Sequence, residues 1–104
     1  MKKEELDFIL QEGEGLKIEF KESFNISIDK EIVAFANSLG GRIFLGVDDK
    51  GNIKGIQITN KIKSQIQDIA RNCDPPVKIN LEEREDITII NVDEGNDKPY
   101  SCRE

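Results

Sequence analysis

The stretch Ala34-Phe35-Ala36-Asn37-Ser38-Leu39-Gly40-Gly41-Arg42-Ile43-Phe44-Leu45-Gly46-Val47 changes its hydrophobic period in the middle, and that change sets the fold class. Upstream, Ile28, Ile32, Phe35, Ala36 and Leu39 fall on one helical stripe, with Ser27 placed to cap the helix start. Gly40-Gly41 ends the helix, because a residue without Cβ can take the left-handed turn that starts a strand at once. Ile43, Phe44, Leu45 and Val47 then form a nearly unbroken apolar run, the pattern of a strand covered on both faces and hence central in its sheet. Gly46 inside that run implies close approach by another element. Asn37, at the helix end, is expected to bond the freed carbonyls.

Further out, the same reading continues. Asp48 to Asn52 is a turn, and Ile53 to Ile56 is expected to return as the second arm of a β-hairpin. A helix is expected over Asn60 to Asn72, with Ile62, Ile66, Ile69 and Ala70 on one side, closed by Pro75-Pro76. Val77, Ile79 and Leu81 alternate as a strand, Glu82 to Asp86 turns, and Ile87 to Val92 is the last strand. Towards the N-terminus, Leu6, Ile9 and Leu10 mark a short helix over Lys3 to Gln11, and Leu16, Ile18 and Phe20 an alternating strand. The order α-β-α-β-β-α-β-β predicts an α+β fold: a mixed four- to five-stranded sheet with two to three packed helices.

The chain has 104 residues, 37% hydrophobic and 35% charged, which suits one domain spanning 1–104 with a modest core. No apolar run approaches the roughly 18 residues of a membrane span, and Met1-Lys2-Lys3-Glu4-Glu5 is no signal peptide, so a cytoplasmic protein is expected. Histidine is absent. That excludes a Ser-His-Asp or Cys-His relay and any zinc site built with imidazole. Proton transfer falls to carboxylates, lysines, Tyr100 or a metal-bound water. Cys73 and Cys102 make no C-x-x-C and read as buried spectator thiols, since a cytosolic chain rarely keeps a disulfide. The net charge of −6 works against nucleic-acid binding, which draws on Lys and Arg to neutralise phosphates, although a local basic face is compatible with it.

Three stretches in order, Glu14 to Ser23, Ala34 to Gly41, and Leu45 to Gly51 followed by Ile53-Lys54-Gly55, resemble the Schlafen AlbA-type DNA-binding domain. The resemblance covers about residues 5 to 100. It implies an Alba-like fold and the N-terminal part of a longer transcriptional regulator or RecG-related helicase. It also implies DNA or RNA as partner, phosphate contact through a basic hairpin, and no cofactor. The cations available for phosphates are Lys17, Lys21, Arg42, Lys50, Lys54 and Arg71, of which the first five are the candidate contacts. In some Schlafen relatives a carboxylate cluster supports metal-dependent RNA cleavage, and the matching positions here are Glu14, Glu19 and Asp49, which would take Mg²⁺ or Mn²⁺.

Each of these residues also has an ordinary structural reading. Glu19 sits between Lys17 and Lys21 on the wet face of a strand, and Asp48-Asp49 is what a turn selects. Phe8, Phe20, Phe24, Phe35 and Phe44 mostly follow the apolar pattern, so base stacking is not expected. No Gly-x-x-x-x-Gly-Lys-Ser/Thr or dinucleotide fingerprint is present. A protein-assembly module, or a homodimer, is the remaining class.

Overall fold

The computed structural model describes residues 1–102; Arg103 and Glu104, the end of the expected domain, lie outside them. Helix α1 spans Lys3–Glu12, followed by strand β1 (Ile18–Lys21), a 3₁₀ turn (Ile26–Ile28), α2 (Asp29–Ala36) and β2 (Gly41–Leu45). Helix α3 (Asn60–Arg71) precedes β3 (Ile79–Arg84) and β4 (Ile87–Val92). The strands lie in the order β1-β2-β4-β3, with β1 parallel to β2 and the other two pairings antiparallel. The fold is α+β: among the described residues, three helices on a four-stranded mixed sheet.

Strand parity divides the core in two. Ile43 and Leu45 of β2 and Ile90 and Val92 of β4 point to one face, where they bury against Ile32, Phe35 and Ala36 of α2 and Ile66 and Ala70 of α3. Phe44, Ile87, Ile89 and Phe20 point to the other and meet Leu6 of α1. The rings of Phe20 and Phe44 pack edge to face at 5.9 Å. β2 is therefore covered on both faces and paired on both edges, as its apolar run implies.

That central position overturns the expected hairpin. With β1 on one edge of β2 and β4 on the other, the segment 53–56 has no vacant edge to pair with. It keeps one isolated bridge, Val47 to Ile53. Lys54 and Gly55 both donate to the Gly46 carbonyl, and Ile56 N–H donates to Asp86 O at 2.8 Å, which carries the chain away from β2. Gly46 takes a φ of 100°, and a Cβ there would come within 3.3 Å of Ile56, Gly55 and Asp86, so the close approach read from its sequence context is real.

Smaller differences have local causes. Asn25 rather than Ser27 caps the entry to the second helical segment, its side chain accepting Ser27 N–H at 2.9 Å. β3 runs through Glu82–Arg84, because its register with β4 continues to the Arg84–Ile87 pair and only Glu85 and Asp86 turn. Leu16 and Leu39 are exposed, since each lies just beyond the element whose stripe it extends. Asn37 bonds no helix carbonyl through its side chain. Its Nδ2 donates to Tyr100 O at 3.0 Å and its Oδ1 accepts Tyr100 N–H at 2.7 Å, tying residue 100 to the end of α2.

Candidate nucleic-acid interface

The five candidate cations fall into three environments, set by the strand register. Lys17 precedes β1 and Arg42 is the second residue of β2, opposite Ile18. The two therefore sit at the same end of the sheet. They share a groove of about 530 Å³ with Phe8 and Ile9 of α1, Leu39 and Asn91, and Glu5 is the acid among its lining residues. Phe8 is 62% exposed and Leu39 61%. The groove thus has an exposed aromatic ring and two cations, with Glu5 in its lining, Glu82 near enough to feel Arg42 and Glu94 near enough to feel Lys17.

Lys50 and Lys54 lie past the other end of β2, which is about 10 Å along the strand from Arg42 at about 3.3 Å per residue. Their depression is lined by Glu22, Asp48 and Asp49 as well, so acids outnumber bases there. Lys54 Nζ stands 3.9 Å from Asp48 Oδ2. Asp48 itself organises the turn, accepting the Lys50 and Asn52 N–H groups at 2.9 Å each. The Asn52 backbone bond, more than any other contact, holds its carboxyl below the usual range. Lys21 is taken up by α2: its ammonium lies 2.7 Å from Glu31 Oε1, and that bond raises its pKa.

The carboxylates divide in a similar way. Glu14 reaches back from the loop before β1 and accepts Phe20 N–H at 2.8 Å. Phe20 N–H points away from β2 on an edge strand, so Glu14 satisfies a donor that would otherwise face solvent or a second sheet. Glu19, on the α2 side of β1, shares a hydrogen bond with Glu14. That contact, then burial, pushes the Glu19 carboxyl up to about 7, while the bond from Glu19 and the Phe20 N–H hold Glu14 below its ordinary value. Near neutrality the pair shares one proton.

Asp49 does not join them; it belongs to the depression around the 48–52 turn. Among the described residues no group of three or more His, Cys, Asp or Glu side chains is placed to hold a metal ion. Mg²⁺ and Mn²⁺ prefer several oxygen ligands, and here two carboxylates stand together, one of them accepting a backbone N–H. Two of the three expected metal ligands, Glu14 and Glu19, are therefore brought together and the third is not.

Phe8 and Leu39 line the groove but are not among the sequence-based candidates. The signal for Phe8 was present, since it lies off the stripe of Leu6, Ile9 and Leu10 that packs on the sheet. Leu39 gave none, because it extends the α2 stripe and is exposed only because the helix stops at Ala36. Glu31 as partner of Lys21 required the packing of α2 beside β1, a tertiary fact.

A search of curated proteins found no significant match. The model of the Schlafen, AlbA_2 family matches residues 14–104, a span that takes in the Glu14 loop, all four strands and the residue clamped by Asn37. The chain therefore belongs to the Schlafen AlbA_2 family, a nucleic-acid-related domain family.

Proposed function

We propose that this domain is a DNA-binding module of a transcriptional regulator or helicase-related protein, holding backbone phosphates largely without regard to base sequence. The observation that carries this reading is the groove in which Lys17 and Arg42 stand together beside the exposed Phe8 ring. Two cations at one site neutralise adjacent phosphates, and the ring offers a surface to an unpaired base. Lys50 adds a second, weaker contact from the 48–52 turn, with Lys54 partly held by Asp48. Lys21 contributes little while Glu31 occupies it.

Fluorescence anisotropy with labelled DNA and RNA over a salt series tests the proposal. Affinity should fall as salt rises, and Lys17→Glu with Arg42→Glu should weaken binding more than Lys50→Glu with Lys54→Glu. Absence of binding at low salt by the folded domain refutes it. A second reading, metal-dependent RNA cleavage through Glu14, Glu19 and Asp49, has the Glu14–Glu19 contact in its favour and the position of Asp49 against it. Incubation of RNA with Mn²⁺ or Mg²⁺, with Glu19→Gln as control, separates the two.

A further inference from the structure

The two cysteines are far apart in sequence and adjacent in the fold. Asp74 and Ser101 form an isolated antiparallel bridge, closed by Asp74 N–H to Ser101 O and Ser101 N–H to Asp74 O, both 2.9 Å. Outward from a doubly bonded pair of this kind, the next two residues face each other without hydrogen bonds, with Cα atoms about 4.5 Å apart in a regular ladder. Here those residues are Cys73 and Cys102. A disulfide needs Cα atoms about 4.4–6.8 Å apart, so the position suits one. Independently, both side chains line the same cavity, of about 370 Å³, beside Asp29 and Asp68.

We propose that Cys73 and Cys102 are a dithiol site, oxidised to an intramolecular disulfide by a low-molecular-weight disulfide such as oxidised glutathione. Cys102 is the half-buried thiol and reacts first: its thiolate attacks the oxidant, one thiol leaves, and a mixed disulfide forms on Cys102. The Cys73 thiolate then attacks the Cys102 sulfur, releasing the second thiol. In balance, one oxidant disulfide and two protein thiols give one protein disulfide and two small thiols. The second exchange is the slow one. Cys73 is buried and its thiol donates to Ile69 O at 3.3 Å. Burial, and then the neighbouring Cys102 and Asp29, push it up to about 11. Asp29 of α2 and Asp68 of α3 also line the cavity, and Asp68 is bonded to Arg71 at 3.0 Å.

The bridge would close a loop holding β3 and β4 and pin the Pro99-Tyr100-Ser101 segment to the end of α3. Asn37 already docks that segment to α2.

The test treats the whole chain with oxidised glutathione, then uses intact-mass and non-reducing peptide analysis. Loss of both thiols, a mass lower by two hydrogens and a Cys73–Cys102 linked peptide in monomeric protein are expected. The unfolding midpoint should rise by roughly 15 °C, reversed by a reducing agent. Cys102→Ser should abolish both changes without disturbing the fold. A glutathione adduct on Cys102 that persists unresolved, or bridges formed only between chains, overturns the proposal.

Discussion

Replacing Glu19 by Gln should make the domain more stable above neutrality and remove much of its pH dependence between pH 5 and 8. The Glu19 carboxyl is raised from 4.5 to about 7 in the folded chain, chiefly by its bond to Glu14. Below about pH 4.5 the proton is bound whether the chain is folded or not. Between 4.5 and about 7 the folded state holds the proton and the unfolded state does not, so each rise in pH costs folded stability, and above about 7 the loss is complete. At about 1.4 kcal/mol per pKa unit the full shift corresponds to roughly 3 kcal/mol. Solvent screening at this partly exposed strand, and the opposite displacement of Glu14, reduce the net to about 1 kcal/mol. For a domain of this size that is roughly 5 °C in melting temperature. The introduced amide mimics the protonated acid, donating to Glu14 at every pH. Urea or thermal melts in matched ionic strength should therefore show wild type losing stability from about pH 5 to 8, and Glu19→Gln nearly flat and about 1 kcal/mol more stable at pH 8. Parallel curves for the two proteins would refute the shared-proton account.

Asn37→Ala removes both bonds to Tyr100 and leaves a partly buried N–H and C=O without partners, a loss of about 1–3 kcal/mol by urea denaturation, with faster amide exchange at Tyr100. Gly40→Ala should cost about 2 kcal/mol or more, because φ is 80° there and a Cβ would stand 2.8 Å from Val92 O. Phe8→Ala, at a 62% exposed position, should leave the melting temperature within about 2 °C but weaken single-stranded DNA binding about tenfold, with duplex binding little changed. Removing Lys17 and Arg42 together should lower the salt slope of binding by about 2, measured by anisotropy.

Much of the fold was legible because local pattern and tertiary demand agree in the centre of the sheet. Ile43 to Val47 is apolar on both parities, and only a strand between two layers wants that. Thr59 caps α3 at Ile62 N–H, and Ile66 and Ala70 are its buried residues, as their spacing implies. The hairpin failed for a reason that local pattern does not contain. Turn residues at 48–52 say that the chain reverses, not whether the strand it reverses from has an edge to offer. β4, far away in sequence, had already claimed it. The site was less legible for a related reason. Charges say nothing about their partners until packing is known: Glu31 of α2 captures Lys21, Glu14 attends to the edge of β1, and Lys17 and Arg42 meet only because β1 and β2 are parallel and in register. The expectation that both cysteines are buried spectators also needs revision. Cys73 is buried and Cys102 only half so, and they share a cavity.

The placement of β4 bears on how the chain is made. This strand enters between β2 and β3 although it is the last of the four to be synthesised. Until it leaves the ribosome, Phe44 and Leu45 belong to a strand with one naked edge, and α2 and α3 have only part of a surface to settle on. On this strand order, the chain is expected to expose apolar surface until β4 has emerged. Stalling translation just before Ile87 should yield a product far more prone to aggregation than stalling it well past Val92.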